Sequence, residues 1–261
     1  MVYDKGLFAP GWWQSGRELL VHMQHAVLPP RCVACGNGHG WRVSRVAAGL
    51  CEICQAQLPI NTCACRTCAL PLSGTQSGLL CGRCLRTPPP YQASWCAYEY
   101  VYPIPHLVRR LKYGGALAPS RVLGNLLARY LQAHRAGAWP ECFIPVPLHS
   151  RRYRTRGYNQ VIELGRWLER TLNIPMRTDL VIRRRHTPEQ AGLSRRERRK
   201  NLRRAFVTTD VAPPRHIALL DDVITTGSTM NELARLLKQS GVEHIEVWGL
   251  ARASMNMKKS T

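Results

Sequence analysis

The sequence predicts a parallel α/β domain preceded by a small cysteine-rich module built around metal. Three observations carry this. Eight of the eleven cysteines fall into four C-x-x-C pairs between residues 32 and 84. From residue 91 onward, short apolar runs alternate with longer segments of helical period. The length, 261 residues, accommodates one sizeable core and an accessory unit.

Composition narrows the class. Hydrophobic residues make up 45% and charged residues 20%, the balance of a globular chain. No uninterrupted apolar run approaches the ~18 residues that cross a bilayer; the longest, 242–251 and 217–220, are short or broken by charge. The opening MVYDKGLFAPGWWQSGRELL lacks the apolar core of a signal peptide, so the cysteines are expected as reduced thiols in the cytoplasm. Residues 1–30 read as an amphipathic lead-in or as the product of an upstream translation start, with Trp12 and Trp13 covering apolar surface. Lys and Arg number 37 against 16 Asp and Glu, a formal charge of +21. Arg outnumbers Lys, which favours bidentate contact with phosphate, free or in nucleic acid.

Residues 31–90 form the first unit. Its pairs are Cys32/Cys35, Cys51/Cys54, Cys65/Cys68 and Cys81/Cys84, with 15 and 12 residues between the pairs of each half. A C-x-x-C turn aims two thiolates at one ion, and a second turn after a short hairpin completes a tetrahedral shell, so two tandem zinc ribbons follow. Pairing first with second and third with fourth is the simplest partition; a cross-braced pairing of first with third stays open. Gly36 and Gly82 adjoin pair members, where a tight turn calls for positive φ. Cys63 is an alternative ligand, whereas Cys96 and Cys142 sit in apolar stretches and read as core. Four Cys ligands leave no open position, so both Zn²⁺ sites are expected to be structural, stapling a segment poor in large aliphatic side chains. Pro88, Pro89 and Pro90 mark a stiff linker to the second unit, residues 91–261.

In that unit, strands are expected at 95–101, 142–146, 217–220 and 245–250, and helices at 104–113, 120–134, 159–172 and 229–240, with Gly241 as a C-terminal stop. Ligands of such sheets bind at strand carboxyl ends. One strand end carries HIALLDDVITTGSTM, residues 216–230. The hydroxyls and amides of Thr225, Thr226, Gly227, Ser228 and Thr229 open a helix, where the backbone dipole favours a phosphate. Asp221 and Asp222 would repel that phosphate and are expected to face neutral hydroxyls, most simply the vicinal diol of a ribose. Phosphate at one end and diol at the other describe a ribose 5-phosphate.

LLDDVITTGST resembles the phosphoribosyl pyrophosphate (PRPP) signature of the type I phosphoribosyltransferases. More narrowly, residues 32–252 are similar to the ComF/GntX family, in which a Cys-rich zinc module precedes such a domain. LVRRLKYGG (107–115), PVPLHSRRYRTRGYNQ (145–160) and HTPEQAGLSRRERRKNLRRAF (186–206) carry the match. The resemblance implies a type I phosphoribosyltransferase-like parallel sheet with helices on both faces, PRPP with Mg²⁺ as ligand, and a role in natural competence and DNA utilisation. It implies that Asp221 and Asp222 orient the diol and that 225–229 hold the 5-phosphate. From the family's R-G-[FY]-N-Q, it marks Arg156, Gly157, Tyr158, Asn159 and Gln160, with Arg156 on the pyrophosphate and Asn159 also fit to cap a helix.

The flanking residues make chemical sense in that frame. Arg151, Arg152, Arg154 and Arg156 form a basic loop expected at the carboxyl edge that carries the Asp pair. Residues 183–204 hold ten Arg and Lys against two Glu, and read as a mobile loop that closes over PRPP, with Gln190, Arg198 and Asn201 at its family positions, or as a positive stripe that tracks a nucleic-acid backbone; the two are compatible. The zinc module would take the place of the hood that covers the acceptor in type I enzymes. The expected function is a PRPP-dependent transferase of unread acceptor. The rival is a non-enzymatic protein that handles single-stranded DNA beside the uptake machinery and keeps a regulatory or vestigial PRPP site; a ribbon regulator of duplex DNA lacks a recognition helix.

Overall fold

The structure, a computed structural model, describes residues 31–38, 49–74, 78–113, 117–184 and 205–254. The lead-in at 1–30 and the run bearing Gln190, Arg198 and Asn201 lie outside the described residues.

The two ribbons repeat one design. The first C-x-x-C turn closes with Gly36 N donating to Cys32 O, and the third with Ala69 N donating to Cys65 O, both at 2.8 Å. The second cysteine pair of each ribbon opens a short helix, α1 (Glu52–Ala56) after Cys51 and α2 (Gly82–Arg86) after Cys81. Gly36 has φ +75, as its turn requires. Gly82 does not: it is the first residue of α2, where ordinary helical φ suffices. In the second ribbon the left-handed position falls instead on Ala69, at φ 53.

The ribbons are built onto the sheet. Residues 59–61 run antiparallel beside β1 (Ala93–Glu99), with Asn61 N on Ala97 O at 3.0 Å and Glu99 N on Pro59 O at 2.9 Å. Val33, Leu50 and Leu58 join the same core cluster as α3 (Ile104–Tyr113) and α4 (Leu117–His134). Arg110 Nη1 donates to Val33 O at 2.7 Å.

Four parallel strands form the sheet in the order β1, β6 (His244–Arg252), β5 (His216–Ile224), β2 (Cys142–Pro145). Side chains of a strand alternate between faces, and β5 does so: Ala218 and Leu220 pack with α3, α4 and α6 (Gln160–Leu172), while Ile217 and Leu219 pack with α7 (Ser228–Gln239). Helices therefore cover both faces, as expected of the class. Cys96 and Cys142 are buried in this core. Asn159 Oδ1 accepts from Val161 N to cap α6, and Gly241, φ +97, follows the end of α7. No described helix is long and apolar enough to cross a membrane.

Two elements depart from expectation. The segment read as a basic loop folds as α5 (Ser150–Arg156); its arginines are good helix formers, and Pro147 before it and Gly157, φ +78, after it delimit the turn. The second is an antiparallel pair, β3 (Val181–Arg183) with β4 (Phe206–Thr208), packed beside α7. Each strand is three residues long, too short to show periodicity.

Candidate ribose-phosphate and zinc sites

Cys32, Cys35, Cys51 and Cys54 bring their Sγ atoms within 4.8 Å of one another, and Cys65, Cys68, Cys81 and Cys84 do the same. Tetrahedral Zn²⁺ with Zn–S of ~2.3 Å sets sulfurs roughly 3.8 Å apart; Cys35 and Cys51 stand at 4.0 Å and Cys68 and Cys81 at 3.7 Å. Backbone amides support the shells, Cys51 N donating to Cys32 Sγ at 3.4 Å and Cys81 N to Cys65 Sγ at 3.3 Å. The partition is sequential, and Cys63 belongs to neither cluster. Both clusters are closed Cys₄ zinc sites with no position for substrate. A third group, His216, His244 and Glu246, is an ion-pair network: Arg135 Nε, Trp248 Nε1 and His216 Nε2 reach the Glu246 carboxylate at 2.8, 3.1 and 3.0 Å.

At the carboxyl edge of the sheet, β5 carries Asp221 and Asp222 near its end, stops at Ile224 and turns through 225–227 into α7. Gly227 supplies the turn with φ +73, a conformation costly for other residues. Thr226 Oγ1 lies 2.9 Å from Ser228 Oγ and accepts from Ser228 N at 3.3 Å, closing the loop on itself. A cavity of 320 Å³ opens beside it, lined by Asp221, Asp222, Thr225 and Thr229, and also by Lys112, Arg152, Arg156 and Arg183.

The charges here are tensioned. Burial, and then the neighbouring Asp222 charge, push Asp221 well above the usual carboxylate range. Burial opposes ionisation of Asp222 too, but Lys112 Nζ at 2.8 Å outweighs it and holds that carboxyl low. Burial, then Arg152, lowers Arg183 to about 10. A cavity lined by both cations and a carboxylate pair suits a ligand with an anionic and a hydroxyl end.

Arg156 Nη1 donates to Gln160 Oε1 at 3.1 Å and Nη2 to Tyr113 Oη at 3.2 Å, which aims it along the cavity mouth. Asn159 is buried, with Nδ2 on Val146 O at 3.1 Å, and so positions α6 from below. Gly157 shapes the turn between α5 and α6. Lys112 stands within LVRRLKYGG, but no local pattern marks it, because its partner Asp222 lies far along the chain.

A double zinc ribbon domain family matches residues 23–85. The chain is 40% identical over 232 residues to competence protein F of Haemophilus influenzae, covering 85% of this chain and 97% of that protein. It is 37% identical over 207 residues to DNA utilization protein YhgH of Escherichia coli K12, covering 78% and 90%. Among solved structures, purine phosphoribosyltransferase from Pyrococcus horikoshii Ot3 aligns at TM-score 0.31 and 16% identity, over 55% of this chain and 91% of that one.

Proposed function

Because the chain belongs to the family of competence protein F, we propose that it is a PRPP-binding, phosphoribosyltransferase-type protein that acts in the use of DNA taken up by the cell. The observation that carries the reading is the 320 Å³ cavity lined by a carboxylate pair, by Thr225 and Thr229 of the helix-opening Thr-Thr-Gly-Ser-Thr loop, and by a cluster of Lys and Arg.

In this reading the amides and hydroxyls of 225–229 hold the 5-phosphate, favoured by the α7 dipole. Asp221 and Asp222 accept from the ribose hydroxyls. Arg152, Arg156 and Arg183 take the pyrophosphate, whose departure from C1 they assist by neutralising the charge that develops on it. Mg²⁺ accompanying PRPP would be held against the Asp221 and Asp222 carboxylates and would neutralise further pyrophosphate charge. Positioning and charge neutralisation supply the catalysis; no general base is evident among the described lining residues. An acceptor nitrogen attacks C1 as the bond to pyrophosphate breaks, and the acceptor's identity is a matter for screening.

Calorimetric titration of the zinc-loaded protein with PRPP and Mg²⁺, at two salt concentrations, tests this beside an Asp221→Asn/Asp222→Asn variant. Saturable binding that survives salt and is lost in the variant supports the site. Binding of equal strength in both proteins, or in neither, rejects it and favours a DNA-handling protein without a working PRPP site.

A further inference from the structure

Helices α3 and α5 present a surface that shares only Tyr113 and Arg156 with the ribose-phosphate cavity. On α3 the buried positions are Ile104, Leu107, Val108 and Leu111, which leaves His106, Arg109, Arg110 and Tyr113 exposed. His106, Arg109 and Tyr113 recur at spacings of three and four and share one face. Tyr102, just ahead of the helix, is 77% exposed and Tyr113 66%. Arg156 of α5 lies over the Tyr113 ring at 5.1 Å, and one turn back on α5 stands Tyr153, 51% exposed. Phenol rings and guanidinium groups of the two helices, Tyr102, Arg109 and Tyr113 on one side and Arg156 and Tyr153 on the other, thus meet where Arg156 covers Tyr113.

The charge around them is one-sided. Residues 101–113 and 147–160, which carry the strip, contain seven Arg and Lys and no acid. A polyanion is the complementary partner, and the rings narrow its class. An acidic peptide or polyphosphate would use the arginines and leave three exposed phenols idle. A duplex keeps its base faces stacked inside. An unpaired strand offers both parts, with bases free to stack on the rings and phosphates free to meet the guanidinium groups between them.

We infer that this strip is a binding track for single-stranded nucleic acid that passes the mouth of the cavity, where Tyr113, Arg152 and Arg156 stand. The inference rests on the DNA-handling role proposed above and adds its location and mode of contact.

The test titrates the full-length, zinc-loaded protein into labelled oligothymidylate and into a duplex of the same length, by fluorescence anisotropy at low and moderate salt. Tyr102→Ala/Tyr153→Ala is expected to weaken strand binding about tenfold or more with its salt dependence unchanged, while Tyr102→Phe/Tyr153→Phe binds like the parent. Arg109→Gln is expected to make the salt dependence shallower by about one phosphate contact. PRPP binding, measured calorimetrically, stays unchanged in all three, because none of these side chains lines the cavity. Parent-like strand binding by the double alanine variant, or a duplex bound as tightly as the strand, overturns the track. No strand binding by the parent overturns the track and the DNA-contact role together, while PRPP binding is judged on its own titration.

Discussion

Arg252 Nε donates to the carbonyl oxygen of Cys68 at 2.9 Å, joining a zinc ligand of the second ribbon to the strand beside the 225–229 loop. The side chain is buried, and its Nη1 also donates to Ile224 O at 2.9 Å and to Thr225 O. From the ribbon, Arg83 Nη1 reaches Thr226 O at 2.8 Å. Three consecutive carbonyls at the entrance of the loop are therefore held by guanidinium groups that belong to, or rest on, the second ribbon. The first ribbon packs instead against α3 and α4, at Val33 and Leu50.

The two zinc sites are consequently expected to differ in effect. Cys84→Ser and Cys54→Ser should each lower zinc content from two ions per chain to one. Only Cys84→Ser should also weaken PRPP binding strongly and raise amide exchange at 225–229. Equal losses of PRPP affinity in the two variants would show that the ribbons act on the site only through general stability.

Asp221→Asn is expected to stabilise the fold while impairing PRPP binding. A carboxyl whose folded pKa is raised contributes stability that is present below its unfolded pKa and lost as pH rises through the folded value. Burial and Asp222 raise Asp221 in this way, so at neutral pH the parent carries the penalty and the asparagine does not. Asn Oδ1 can still accept from Asp222 N, as Asp221 Oδ1 does at 2.9 Å. A gain of about 1 kcal/mol, or roughly 2–4 °C in Tm, is expected at pH 8 and none near pH 3.5. Melting curves across pH decide it; a pH-independent difference would rule the charge explanation out.

How much of this was legible in the sequence depended on the range of the interaction. The C-x-x-C spacings contain both zinc shells, because each shell closes within some twenty residues of chain. Asn159 and Gly241 are local signals, and they sit at the helix ends where cap chemistry puts them. The helix α5 was obscured by its own arginines, since a dense charge run looks alike as loop or as solvated helix. Ala69 takes a left-handed position that composition alone would give to glycine. Lys112 with Asp222, and Arg252 with Cys68, are pairings made by the tertiary fold; no periodicity or spacing announces a guanidinium that seeks backbone carbonyls 184 residues away.

Where α4 crosses α6, the backbones approach over Gly124. A Cβ there would lie 2.6 Å from Trp167 Cβ and 3.0 Å from Leu164 O, atoms that cannot move without shifting α6. Gly124→Ala is therefore expected to destabilise by about 1–3 kcal/mol despite its better helix propensity. Urea titration measures this, and a neutral or stabilising result would mean that the two helices separate at little cost.

Lys112→Ala tests the charge balance of the site from the other side. In the parent, Asp222 is held low by Lys112, so the pair contributes stability that is present above the unfolded carboxyl pKa and lost as pH falls through the folded one. Without Lys112, the adjacent Asp221 and Asp222 carboxyls lose the cation in direct contact with Asp222, and both shift toward the protonated form. The variant's deficit should be small near pH 4 and grow to about 1–3 kcal/mol at pH 8. Adding Asp222→Asn to Lys112→Ala should restore part of it, because one of the two charges is gone. Urea midpoints at both pH values check the trend; a deficit of the same size at each would trace it to lost packing of the lysine stem against the cavity wall.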